Sequence, residues 1–174
     1  MTNELTSATC RCGKVALEIV GAPILRGICY CTSCQEAGRR HQTVPGADQA
    51  LAEDGGTDYV LYRKDRVRCV QGGDLLEERR LKPGSPTRRI YARCCNTAMF
   101  LDFTKGHWLT VYRGRLPDDM PPATMRMMTA ERPAGVILPD DTASYPGHSG
   151  KFMLKLLGAW IAMRFRRPAI DGVP

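Results

Sequence analysis

The chain has no apolar run long enough to cross a bilayer, which takes roughly 18 residues or more, so no spanning helix is expected. Its opening stretch, MTNELTSATC, has neither a basic region nor an apolar core. No secretory leader is therefore expected, and the expected setting is cytoplasmic, where thiols stay reduced. Aromatic residues make up 7% of the chain and are scattered, which excludes a platform on which bases could stack. No nucleic-acid motif is present, and nucleic acid is not an expected partner. There is no glycine-rich phosphate loop, and no serine, histidine and acid fall into a recognisable hydrolase arrangement. Histidine is scarce, at three residues. His107 precedes Trp108 at a strand start and reads as structural, and His148 opens a helix and reads as exposed.

Cysteine is what the chain has. Seven of its eight cysteines form three tight clusters. They are Cys10-Arg-Cys12-Gly13, Cys29-Tyr-Cys31-Thr-Ser-Cys34 and Cys94-Cys95-Asn96, with Cys69 alone in a strand as a small buried apolar residue. In a reducing setting, clustered thiols favour zinc over disulfides. The first and third clusters together supply four ligands, enough to close a tetrahedral structural site. The middle cluster supplies three and leaves a position open, as a catalytic or ligand-binding zinc requires. Neighbouring side chains in an extended strand point to opposite faces. Cys94 and Cys95 therefore reach one ion only if the chain turns between them, and Asn96 suits such a turn. A vicinal disulfide, or Cys95 as ligand with Cys94 merely buried, are the alternatives. The middle cluster also has alternatives: His41 as a fourth ligand, a Cys31–Cys34 redox pair, or free thiols. The redox reading lacks the surrounding βαβ pattern of thioredoxin-like proteins.

A chain of 174 residues with 43% hydrophobic content can build one domain with a real core. The net charge of +7 serves solubility alone or favours anionic partners, such as an acidic thiol, nucleic acid or an anionic membrane surface. The basic residues fall in scattered pairs, among them Arg39-Arg40, Arg79-Arg80 and Arg88-Arg89. Residues 14–20 alternate, with Val15, Leu17 and Ile19 on one face, and predict a half-buried strand. Further short strands are predicted at 24–29, 59–63, 66–71, 75–81, 88–91, 98–103 and 107–112, with a turn of helix near 35–39. Short strands at regular spacing mean antiparallel β. Residues 1–113 are therefore read as a β domain and the proline-rich residues 114–147 as a wrapping segment, partly ordered at best. Residues 148–174 form an extension with a helix over 148–167, capped by Ser149. That helix is apolar through most of its middle. It docks on the sheet or a second subunit, or lies on a membrane surface between its basic flanks.

At its cysteines the chain resembles the glutathione-dependent formaldehyde-activating enzyme family, which includes centromere protein V. The stretches that carry the likeness are Cys10-Arg-Cys12-Gly13-Lys14-Val15, Cys29-Tyr-Cys31-Thr-Ser-Cys34 and Tyr91-Ala92-Arg93-Cys94-Cys95-Asn96-Thr97. The resemblance spans roughly residues 8–112. It implies a β-tent of small antiparallel sheets stapled by zinc, with Cys10, Cys12 and Cys95 as structural ligands. It implies a second, labile catalytic zinc on Cys29, Cys31 and Cys34, and condensation of formaldehyde with glutathione by carbon–sulfur lyase chemistry. The family's first cysteine of the third motif falls on Ala92 here, and its glycine on Asn96. Either Cys94 takes over as the fourth ligand, or that site has three ligands or none. These departures suit a divergent branch.

The expected function is the joining of a small thiol, such as glutathione, to a small aldehyde at an open three-cysteine zinc site. Arg39 and Arg40 stand nearby as candidates to bind the carboxylates of the thiol. The rival is a zinc-stapled binding module without catalysis, using helix 148–167 for a homo-oligomer, partner or peripheral membrane contact.

Overall fold

The computed structural model describes residues 4–173. Its strands are β1 (Leu5–Thr9), β2 (Ala16–Val20), β3 (Leu25–Cys29), β4 (Thr57–Arg63) and β5 (Val67–Gln71), then β6 (Leu76–Arg79), β7 (Thr87–Ala92), β8 (Thr97–Phe103), β9 (Trp108–Tyr112) and β10 (Arg126–Met127). The helices are α1 (Thr32–Gln42) and α2 (Gly150–Ala162). Among the described residues this is a mainly β fold with a C-terminal helix, as the spacing of the strands predicts. The smaller sheet has the order β1-β2-β5 and the larger the order β10-β3-β4-β9-β8-β7-β6. The pairs are antiparallel except β10 on β3, which is parallel.

The period of two along each strand sorts side chains between two cores. In β2 and the turn before it, Val15, Leu17 and Ile19 are fully buried, as their alternation requires. They pack against Val60, Tyr62, Phe100 and Val111 of the larger sheet, forming the core between the two sheets. The alternate residues of β4, Tyr59 and Leu61, face the other way and pack with Phe152 and Leu156 of α2. Strand β4 is thus buried on both faces and reads as a near-continuous apolar run.

The segment 114–147 runs along the edge of the larger sheet. Arg126 and Met127 add a short parallel strand to β3, and the Arg126 guanidinium is held by Asp141 at 2.6 Å. Helix α2 starts where the sequence places its cap: Ser149 Oγ accepts from the Phe152 amide at 3.1 Å. It ends earlier than expected, at Ala162. Arg164 and Phe165 take left-handed φ values of 53° and 59°, and the chain folds back around Trp160. Phe165 meets the Trp160 ring edge-on at 5.3 Å and the Arg167 guanidinium lies over it at 5.0 Å. Of the basic residues at this end, Arg167 serves the wrap, while Arg166 Nε donates to the Met163 carbonyl at 3.3 Å. No helix among the described residues is long and apolar enough to cross a membrane.

His107 docks α2 on the sheet. Its Nε2 donates to the Leu156 carbonyl at 2.8 Å, and its ring stacks on Trp160 with 5.5 Å between centroids. Burial lowers its pKa, helped by the charges of Arg167 and Lys64 and opposed by the bond to Leu156. A histidine with a depressed folded pKa contributes its full stability above its unfolded value, about 6.5. That contribution declines as pH falls below this value. Acidification through this range is expected to loosen α2 and shift Trp160 fluorescence. A profile that is flat across the range, or unchanged by His107→Phe, contradicts this docking role.

Candidate metal centres and the adjoining cleft

Cys10 and Cys12 lie in the turn between β1 and β2. The turn closes with the Gly13 amide donating to the Cys10 carbonyl at 3.0 Å, and Gly13 takes a φ of 74° that favours glycine. Cys94 and Cys95 lie in the turn between β7 and β8. Asn96 adopts a φ of 49° there, and its side chain donates to the Pro45 carbonyl at 3.0 Å. The turn brings both neighbouring thiols to the side of Cys10 and Cys12. Sulfur–sulfur distances are 3.6 Å for Cys10–Cys12, 3.9 Å for Cys10–Cys94, 3.4 Å for Cys12–Cys94 and 3.8 Å for Cys94–Cys95. Four sulfurs bonded to one zinc at about 2.3 Å stand about 3.8 Å apart at the tetrahedron's edges. The four thiols therefore fit a closed four-sulfur zinc site. The cluster ties the smaller sheet to the larger one.

Its two neighbouring thiols shift in opposite directions. Burial opposes ionisation of Cys95, but hydrogen bonds from Thr97 Oγ1 and from the Cys12 amide and thiol outweigh it and lower its pKa to about 6. Burial pushes Cys94 up, reinforced by its bonds to Cys12, Cys95 and Cys10. The Val15 amide donates to Cys10 Sγ at 3.3 Å, an outer bond of the kind that orients ligands and tunes their basicity.

Cys29 ends β3, and Cys31 and Cys34 start α1. The sulfurs of all three lie within 4.8 Å of one another, and among the described residues no fourth His, Cys, Asp or Glu joins them. His41 points elsewhere: its Nε2 pairs with Asp48 at 2.8 Å. Cys31 Sγ caps α1 by accepting the Cys34 amide at 3.4 Å, and Ser33 Oγ lies 3.3 Å from it. Hydrogen bonds from Cys29 and Cys34 converge on Cys31 and lower its pKa. The same bonds raise Cys29, with burial adding to the effect. The Cys29 bond favours ionisation of Cys34, but the Cys31 bond, burial and the Cys31 charge together raise it. A metal bound by these sulfurs must displace protons from the groups whose ionisation is disfavoured. A soft, three-sulfur donor set fits zinc with a position left open.

These three cysteines stand at one end of a cleft of about 830 Å³ between the larger sheet and α2. Arg39 and Arg40 are not among its lining residues. Both lie exposed on α1 and pair with Glu36, at 3.5 Å and 2.6 Å. Arg89 lines the cleft instead. It is 3% exposed, its Nη2 donates to the Ser33 carbonyl at 3.1 Å, and its Nε has no partner among the described residues. Strand alternation is the signal that could have found it, since one of two adjacent arginines in a strand must face inward. Arg88 takes the other face and bonds Asp102 at 2.7 Å. Glu131 was also hidden in the sequence. Its Oε2 accepts from the Thr32 amide at 2.6 Å and from the Thr32 hydroxyl at 2.5 Å, beside the cysteines. The lone Cys69 is half-buried, its thiol donates to the Gln71 carbonyl at 3.3 Å, and burial raises its pKa.

The family model described as glutathione-dependent formaldehyde-activating enzyme matches residues 5–129, well over half of the chain. The chain belongs to this family. Within the glutathione-dependent formaldehyde-activating enzyme family it is a divergent member, with Ala92 where the third motif is expected to carry its first cysteine and with Cys94 in the four-sulfur cluster. Among curated proteins nothing matches. Among solved structures it is similar to a Rhodobacter sphaeroides protein at 18% identity and a TM-score of 0.46, covering 67% of this chain and 91% of that one. The family match ends before α2, so the roof of the cleft is built from sequence outside it.

Proposed function

We propose that the chain is a carbon–sulfur lyase that joins a thiol to a small aldehyde and runs the reverse reaction. The observation that carries this reading is the convergence of Cys29, Cys31 and Cys34, with no fourth ligand among the described residues, in the lining of a cleft in a chain of this family. Zinc bound by these three thiolates would supply an open coordination position and lower the pKa of a thiol placed there.

The chain's own residues supply the remaining functions. Arg89 presents a buried positive charge beside Cys34 and draws an anionic sulfur into the cleft. In the forward direction the thiolate sulfur bonds to the carbonyl carbon and the carbonyl electron pair moves to oxygen. That oxygen takes one proton, and the product is a hemithioacetal. The Thr32 hydroxyl, hydrogen-bonded to Glu131, provides a path for that proton, and the reverse reaction returns it as the carbon–sulfur bond breaks. The four-cysteine cluster holds the sheets in register and takes no part in the chemistry. A second role as a contact surface rests on the outer face of α2, where Leu154, Leu157 and Ile161 are exposed.

Exchange NMR on a mixture of thiol and aldehyde tests the lyase reading. Zinc-loaded protein is expected to accelerate exchange between free aldehyde and hemithioacetal, chelation to abolish the acceleration, and added zinc to restore it. Exchange at the buffer rate with zinc-loaded protein overturns the reading.

A further inference from the structure

The cleft beside Cys29, Cys31 and Cys34 is built for a more apolar ligand than a tripeptide. Its floor is the face of the larger sheet that carries Leu61, Leu101 and Trp108. Its roof is Phe152, Met153 and Leu156 of α2. At about 830 Å³ it falls in the range of sites that enclose whole organic ligands. Its charged groups are concentrated at the cysteine end: Arg89 bonds Ser33, and Glu131 bonds Thr32. Among the described lining residues Arg89 is the one fixed cation, with His148 the other basic group. Glutathione carries two carboxylates and an ammonium, and placing all three against these walls would leave charges unpaired. Arg89 in turn lines the cleft beside Ser33, and its Nε has no hydrogen-bond partner among the described residues.

We infer that this cleft takes an anion with an apolar body. The head lies against Arg89 and the three cysteines, and the chain or ring system lies between the sheet and α2. The ligand's chemistry is one anionic head on an apolar body of about ten carbons, as the size of the cleft allows. A thiolate and a carboxylate are two sources of the same head. The inference rests on the lyase reading only in that a thiolate head would react while a carboxylate head would bind and inhibit.

Calorimetric titration of the zinc-loaded chain tests it, with hexanoate, octanoate, decanoate, octanethiol and glutathione as probes. Affinity is expected to rise about threefold per added methylene from hexanoate to decanoate. Glutathione is expected to bind at least about tenfold more weakly than octanethiol, because it brings charge and not apolar surface to the walls. Comparison of octanethiol with octanoate shows which head is preferred. Leu101→Asp places a repelling charge on the half-buried floor and is expected to weaken decanoate at least about tenfold while leaving zinc content unchanged. Met153→Asp is a second variant, at a residue 54% exposed, where folding is not at risk. Absence of chain-length dependence overturns the inference. So does chain-length dependence that persists in both variants, which would place binding on the outer face of α2. Chain-length dependence without accelerated thiol–aldehyde exchange would sink the lyase reading and leave this one standing. Accelerated exchange with glutathione and no chain-length dependence would do the reverse.

Discussion

Cys94→Ser is expected to remove one zinc per chain and to unfold the protein near room temperature. The change replaces one sulfur by oxygen on a half-buried residue, and lost packing alone would cost no more than about 1 kcal/mol. The large effect comes from the metal. A structural zinc site of this kind contributes roughly 10–16 kcal/mol, whereas a whole domain retains only about 5–15 kcal/mol. The geometry leaves little to replace it. Cys94 lies 3.4 Å from Cys12 and 3.9 Å from Cys10, and it belongs to a cluster joining turns more than 80 residues apart in sequence. Thermal unfolding followed by circular dichroism, with zinc counted on the same sample, reads both consequences. A variant that keeps its Tm and its zinc would show that Cys94 only packs beside a three-ligand site.

Cys31→Ser should behave in the opposite way. One zinc per chain is lost and thiol–aldehyde exchange falls to the buffer rate, yet Tm moves by only a few degrees, about 1 kcal/mol or less. The fold survives because Cys31 has two tasks and serine performs one of them well. Its sulfur caps α1 by accepting the Cys34 amide at 3.4 Å, and serine is among the preferred residues at that position. What serine lacks is the sulfur on which the hydrogen bonds from Cys29 and Cys34 converge, which binds zinc as a thiolate. Unfolding of this variant would make the middle cluster a second structural site, and retained turnover would remove it from the chemistry. The two serine variants thus separate the roles of the two clusters with one atom changed in each.

Much of the candidate site was legible because cysteine spacing is local. The middle cluster spans six residues, and a turn at Asn96 was the one condition for Cys94 and Cys95 to meet the first pair. The alternation at Val15, Leu17 and Ile19 placed β2, and Ser149 placed the start of α2. The unread parts depend on tertiary contacts. Strand β1, LTSAT, has little apolar pattern, and is formed by pairing with β2. Helix α1 is polar enough to read as a single turn, but Gln35, Ala37 and His41 bury one face of it, and Gln35 bonds the carbonyls of Tyr30 and Glu131. Strand β10 is only Arg126–Met127, too short for any periodicity. Arg39 and Arg40 stood close to the cysteines in sequence, but Arg89, far away in sequence, is the arginine that reaches them in space. The cleft itself exists only once α2 has docked on β4, a contact between residues about 90 apart that no local pattern encodes.

The most direct measurement is zinc per chain on the native protein, purified under reducing conditions, together with a time course of thiol release to a chelator. Two zincs are expected, one leaving quickly with the three thiols of the middle cluster and one leaving only on unfolding. One tightly held zinc, with the three middle thiols reactive from the start, would contradict a second zinc on Cys29, Cys31 and Cys34.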